Sequence, residues 1–303
     1  MKTWRRLLST VLLLTGCICS FMPKLSAETA EPAVEKGLSN PFFAMDTIFG
    51  TPGKRDTSVK EQAAMVKELG YAGIGSWGDI NNLRETLEEL DRNGLKAFPP
   101  YYGMNLDPGK QKYDPELKEA IRLLKGRDTA IWISIVSREY KRSSPEGDPR
   151  AVEILRQISN MAQEAGLRVA LYPHTGFWLE RVEDAVRVAK KVDRENVGVT
   201  FNLCHWLRVD DEKNMRPLLE LAMPYLFVVT INGADRGGKD WDSLIQTLDR
   251  GSFDTYQFLK TLKELGYAGP IGLQGYGIKG DAYDNLKRSM EAWRKLSTRV
   301  AAE

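Results

Sequence analysis

Val169-Ala-Leu-Tyr-Pro-His-Thr-Gly176 is the stretch that decides how this chain is read. The apolar run over 167–172 has the length and composition of a buried strand. It stops at Pro173 and delivers His174 into the loop beyond. A second unit repeats the device: Val197-Gly-Val-Thr-Phe-Asn-Leu-Cys-His205 is an apolar strand ending in a polar residue, with a histidine just after it. The chain of 303 residues has two histidines, and both stand at such strand ends. In alternating strand–helix proteins the carboxyl ends of the strands are where ligands are held. His174 and His205 are therefore the first candidate functional residues.

The same rhythm runs outward from this centre in both directions. Short, apolar, non-alternating segments predict strands over 42–46, 71–76, 95–98, 130–135, 167–172, 197–202, 226–232 and 271–276. Between them, apolar positions at helical spacing predict helices over 57–69, 80–93, 115–125, 149–165, 179–191, 215–222, 255–265 and 282–296. Thr57 is the expected cap of the first helix, and Pro99-Pro100 the expected end of the third strand. The hexapeptide Glu-Leu-Gly-Tyr-Ala-Gly occurs at 68–73 and again at 264–269, joining a helix to the next strand each time. About eight strand–helix units over about 260 residues have the size and order of a (β/α)8 barrel. The expected class is α/β, a single barrel domain over 41–298. A doubly wound open sheet is disfavoured because no Gly-x-Gly-x-x-Gly turn follows the first strand.

The N-terminus reads as a targeting segment. Lys2, Arg5 and Arg6 precede a short apolar core over 7–18, too short for a confident membrane span. Two processing readings stand: a signal-peptidase cut after Leu25-Ser-Ala27, or lipidation of Cys17 in the lipobox-like Leu14-Thr-Gly-Cys17. Residues 28–40 form a polar linker. Export to the periplasm or cell envelope is expected, with a membrane contact only through a lipid anchor at Cys17. Residues 1–27 carry Lys2, Arg5, Arg6 and Lys24 and no acid, so their removal turns a net charge of +2 into −2. A slightly acidic mature chain argues against a nucleic-acid partner. After a cut at residue 27 only Cys204 remains, which leaves no intramolecular disulfide and reads as a small buried filler.

If the strands close into a barrel, one mouth is lined by Asp46, Trp77, Tyr101, Glu139, Tyr172, His174, Asn202, His205, Asn232 and Gln274. The chain here resembles the sugar phosphate isomerase/epimerase group, the xylose isomerase-like TIM barrels, over most of 41–296. The carrying stretches are Leu171-Tyr-Pro-His-Thr-Gly176, Gly198-Val-Thr-Phe-Asn-Leu-Cys-His205, Val229-Thr-Ile-Asn-Gly-Ala-Asp235 and Gly266-Tyr-Ala-Gly-Pro-Ile-Gly-Leu-Gln274. The resemblance implies one divalent metal held by Glu, Asp, His and Glu at the ends of strands five to eight. The metal polarises a sugar carbonyl and hydroxyl while carboxylates move a proton. Carried over, those positions fall on Tyr172, Asn202, Thr230 and Gln274, and none matches. Hard divalent cations need anionic oxygens, so no metal and no cofactor is expected. The resemblance also places substrate-contacting groups at His205 and Arg236.

The expected function is an exported isomerase- or epimerase-like protein acting on a sugar or sugar derivative by proton transfer. His174 and His205, with Asp46 and Glu139, are the candidate catalytic residues, since an imidazole titrates near neutrality. Tyr172, Asn202, Asn232, Arg236, Gln274, Trp77 and Trp178 are the candidate substrate contacts. The alternative is a non-catalytic carbohydrate-binding protein of the envelope that keeps the pocket and has lost the chemistry. Endonuclease chemistry, found in related barrels, needs several metals with more histidine and carboxylate ligands than the chain offers.

Overall fold

The computed structural model describes residues 37–50, 54–77 and 79–303, without the side chains of residues 76 and 77. The readings placed on residues 1–27 and on 28–36 of the linker, including the lipid anchor at Cys17, lie outside the described residues. Eight parallel strands close into a barrel in sequence order: β1 Phe42–Met45, β2 Gly73–Trp77, β3 Lys96–Asn105, β4 Ala130–Val136, β5 Arg168–Leu171, β6 Val197–Asn202, β7 Leu226–Ile231 and β8 Ile271–Leu273. The register of β1 with β8, Phe42 opposite Ile271 through Ala44 opposite Leu273, closes the ring. Around it run α1 Val59–Leu69, α2 Ile80–Asn93, α3 Leu117–Leu124, α4 Asp148–Glu164, α5 Val182–Val192, α6 Leu203–Val209, α7 Met215–Ala222, α8 Trp241–Leu244, α9 Thr255–Glu264 and α10 Ala282–Ala301.

Strand alternation sorts the apolar residues into two cores. Phe42, Ala44, Ile131, Ile133, Val169, Leu171, Val229 and Ile231 point outward and pack under the helices. Phe43, Met45, Phe98, Trp132, Ala170, Tyr172 and Val228, of the opposite parity, fill the barrel. Strands buried on both faces carry apolar residues at both parities, which is why they read as continuous runs. Phe43 stacks on Phe98 with ring centroids 4.2 Å apart. Gly272 beside it has no room for a side chain, since a Cβ there would stand 2.4 Å from the Phe43 ring.

Two local expectations are corrected. The cap of α1 is Ser58, not Thr57: Ser58 Oγ accepts from Glu61 N while the Glu61 carboxylate accepts from Ser58 N, a reciprocal capping box. Nor does β3 end at Pro99-Pro100. Its first residues pair with β2 and its residues from Tyr101 to Asn105 pair with β4. The prolines sit at a register shift between β2 and β3, which pair again at Trp77 opposite Tyr101, and a bulge of this kind is where a strand tolerates residues without an N–H.

Candidate active site

A cavity of about 400 Å³ opens at the carboxyl ends of the strands, within the ~300–1,000 Å³ range of small-molecule sites. Met45 lines it from the end of β1, Asp46 and Thr47 from the 3-10 turn that follows, Tyr101 from β3 and Trp132 from β4. Tyr172, His174 and Phe177 come from the β5 end, His205 from the first turn of α6, Trp241 and Ile245 from α8 and its end, and Gln274 and Tyr276 from the β8 end. Its walls are largely aromatic. Tyr172 packs edge-on against Tyr101 and Trp132, with centroids 5.0 and 5.2 Å away. Trp241 and Tyr276 stand 38% and 45% exposed at its rim.

The two histidines are neighbours, with ring centroids 4.0 Å apart. Phe177 stacks on His174 at 4.0 Å, and Trp241 meets His205 edge-on at 5.4 Å. The loop that carries His174 is tied by backbone bonds, His174 N to Leu179 O and Phe177 N to His174 O. Thr175 bonds to both rings, its carbonyl 2.9 Å from His174 Nδ1 and its N–H donating to His205 Nδ1 at 3.3 Å. Burial holds the His174 pKa below its ordinary value. Burial, and then the charge His174 would carry, hold that of His205 well below. At neutral pH both rings are uncharged.

The four positions where the family resemblance implies metal ligands carry a neutral network instead. Asn202 Nδ2 donates to the Tyr172 hydroxyl, and the Gln274 amide bonds to the same hydroxyl. The Gln274 carbonyl oxygen accepts from Thr47 Oγ1 at 2.7 Å and Tyr276 N at 3.0 Å. Cys204 donates to Asn202 Oδ1 at 3.1 Å, and burial pushes its thiol up to about 12. Burial also holds Tyr172 well above the usual tyrosine range, against the pull of the two amides, so it stays a phenol. Thr230 is fully buried, its hydroxyl without a partner among the described residues. Two amides, a phenol and an alcohol supply no anionic oxygen, and this donor set does not fit a hard divalent cation. Among the described residues no group of three or more His, Cys, Asp or Glu side chains is placed to hold a metal ion.

The expected site residues divide. Asp46, Tyr172, His174, His205 and Gln274 meet in the cavity. Asn202 does not line it but steadies Tyr172. Asp46 is buried and ion-paired to Arg55 at 2.8 Å, which takes it away from the role of a free base. Glu139 is exposed and outside the lining, because Asp107 accepts from the N–H groups of Arg138 and Glu139 and fixes that loop with the side chain turned to solvent. Arg236 is likewise exposed, 3.6 Å from Glu212. Asn232 is buried beside the mouth and splints its loop through the carbonyls of Gly233 and Leu244. Trp178 is a core residue, donating to Ser144 O and packed against Gly147. Trp77 ends β2, and its side chain lies outside those described.

Sequence reading missed Thr47, Trp132, Phe177, Ile245 and Tyr276 as lining residues. Trp132 was recoverable from parity alone, since it shares the inward set with Ala130, and its indole N–H is buried without a partner among the described residues. Phe177 stands three residues after His174 in the same turn.

A closed barrel with its cavity at the strand ends defines the class, and sequence comparison gives the family. The chain belongs to the xylose isomerase-like TIM barrel family, whose profile matches residues 63–296. An uncharacterized protein of Methanocaldococcus jannaschii is 24% identical over 151 residues, which are 48% of this chain and 50% of that protein, so the match spans about half the relative's length. The apo 3-keto-D-glucoside 4-epimerase of E. coli superposes with a TM-score of 0.67 at 17% identity, over 84% of this chain and 99% of that one. A D-allulose 3-epimerase of Methylomonas sp. superposes with the same TM-score of 0.67 at 16% identity, over 86% of this chain and 98% of that one. At these identities the likeness is one of fold.

Proposed function

We propose that this protein is a carbohydrate isomerase- or epimerase-like enzyme that moves a proton beside a sugar carbonyl, without the divalent metal implied for its family. The observation that carries this reading is the pair of neighbouring neutral histidines, His205 buried and His174 half-buried, facing an aromatic-walled cavity at the barrel mouth. A neutral imidazole can accept a proton at pH 7, and one held neutral by burial stays competent on the acid side of its ordinary range. Among the described residues three large apolar side chains are strongly exposed, and two of them, Trp241 and Tyr276, stand at this cavity. Exposed aromatic faces at a mouth fit stacking on the apolar face of a sugar ring. No Lys or Arg is among the described lining residues, which favours an uncharged sugar over a phosphorylated one.

The known activities of the two epimerases named above concern sugars and agree with this substrate class. Export is part of the proposal and rests on the basic and apolar N-terminal segment. Fractionation of cells expressing the full chain checks it, a cytoplasmic location being the contrary result.

The test is incubation of the purified protein in D2O with a panel of neutral aldoses, ketoses and keto-glycosides, read by proton NMR. Exchange of a carbon-bound hydrogen beside the carbonyl, followed by a new sugar signal, is the expected outcome. A second reading, a binding protein without chemistry, is favoured by the self-satisfied network at Tyr172, Asn202 and Gln274. Saturable sugar binding with no exchange across the panel would establish that reading in place of the first.

A further inference from the structure

The two histidines bond to opposite kinds of group on one residue. His174 Nδ1 lies 2.9 Å from the Thr175 carbonyl oxygen, which only accepts, so this nitrogen carries the hydrogen. His205 Nδ1 lies 3.3 Å from the Thr175 backbone nitrogen, whose N–H only donates, so this nitrogen carries a lone pair. The Thr175 hydroxyl fits the same assignment. It stands 3.2 Å from His205 Nδ1 and 3.4 Å from His205 O, and can donate to either. A neutral imidazole has one N–H, so the remaining nitrogens are fixed as well. His174 presents a bare Nε2, and His205 presents Nε2–H. Among the described residues no hydrogen bond engages either Nε2, and both side chains line the cavity.

We infer that Thr175, through its two backbone groups, divides the histidine pair into a fixed proton acceptor, His174 Nε2, and a fixed hydrogen-bond donor, His205 Nε2–H. This rests on the proton-transfer reading above and assigns its roles. The C–H bond beside the substrate carbonyl breaks, and the proton passes to His174 Nε2, which becomes an imidazolium. The electron pair moves onto the carbonyl oxygen, where the hydrogen bond from His205 Nε2–H holds the developing charge. Return of the proton from His174 Nε2 to the neighbouring carbon of the enediolate gives the isomerised sugar. The substrate's hydroxyl proton passes to the former carbonyl oxygen, the other oxygen becomes the new carbonyl, and both rings are left as they began. Simple return to the same carbon gives hydrogen exchange alone. The division of labour fits the burial. His174 is the less buried ring and the one able to carry charge, and with rings 4.0 Å apart one charge keeps the other ring neutral. Thr175 is thus a positioning residue, and no carboxylate is needed to orient either ring.

A chain with two histidines makes the test direct. Long-range 1H–15N correlation on the 15N-labelled protein shows four ring nitrogens, and the variants H174Q and H205Q assign them. At pH 7 the expected spectrum has one ring protonated at Nδ1, lost in H174Q, and one protonated at Nε2, lost in H205Q. In T175V the backbone groups remain, and both states should persist. Two rings of the same tautomer, or an imidazolium at pH 7, would overturn the inference, as would a switch of both rings in T175V. These readings need no turnover, so a protein that exchanges no sugar hydrogen would sink the enzymatic reading without touching the tautomers. On a sugar that does exchange, H174Q should abolish exchange, and H205L, whose side chain has no donor, should slow it about 10²–10³-fold, as expected for loss of one oxyanion donor. The opposite ranking would reverse the two roles and overturn the assignment.

Discussion

His174 and His205 also set how the folded protein answers to acid. An unfolded histidine titrates near 6.5, and burial holds both folded rings below that, His205 further than His174. Between the unfolded and folded values the unfolded chain binds protons that the native one does not, so stability falls as the pH falls through that window. Above pH 7 both states are neutral at these rings, and their contribution is flat. We expect urea midpoints to be level from pH 8 to 7 and to decline from about pH 6.5 downward, well before carboxylates titrate. The limiting slope is ~1.4 kcal/mol per pH unit for each proton. The double variant H174Q/H205Q should flatten that segment; an unchanged decline would place its origin elsewhere. At this scale the sequence was informative where strand alternation aims the side chain. Tyr172 and Gln274 reach the cavity because each keeps the inward parity of the residue two before it, Ala170 and Gly272, while Asp46 follows the inward Met45 in the turn beyond β1. Glu139 and Arg236 do not, because loop conformation there depends on Asp107 and Glu212, which lie far away in sequence.

Strands and helices were legible wherever a continuous apolar run or a 3.6-residue period left one reading. The spans of α2, α7 and β6 emerge as expected, whereas β8 stops at Leu273 instead of running on to Tyr276. Pairing decides such ends: Gln274 N turns to Ile231 O, and Gln274 itself is held by Thr47, none of which is visible locally. The short helices α6 and α8 were not expected at all, having too few residues for a period to register. The barrel floor is where element packing can be tested. Gly272 of β8 lets the Phe43 ring lie against the backbone, and an added Cβ would come within 2.4 Å of it. Phe43 is fully buried and stacked on Phe98, so it has little freedom to retreat. We expect G272A to cost about 1–3 kcal/mol, as overpacking does, read as a lower urea midpoint at unchanged slope. F43L should relieve part of that loss, so the double variant should be more stable than the sum of the singles demands. Additive losses would show that the two side chains do not share the space.

Over the whole barrel, fold and donor chemistry have parted company. The family profile covers residues 63–296, and the closed ring of eight strands is intact, yet the positions expected to hold a metal carry Tyr172, Asn202, Thr230 and Gln274. Simple loss of ligands would leave buried polar atoms facing an empty cage. Here most of them are engaged: the Tyr172 hydroxyl by two amides, and the Gln274 carbonyl by Thr47 and the Tyr276 N–H. A bound cation would have to break these bonds and would gain no charge neutralisation in return, since none of the four groups is an anion at neutral pH. We therefore expect protein purified without chelators or affinity metals to contain well under one equivalent of any divalent metal by elemental mass spectrometry. Incubation with Mn²⁺, Co²⁺ or Zn²⁺ should not raise its melting temperature, and EDTA should leave both melting and sugar hydrogen exchange unchanged. A stoichiometric metal that raises the melting temperature would mean that the ligands come from other residues, and proton transfer by the histidine pair alone would then give way to a metal-assisted reaction.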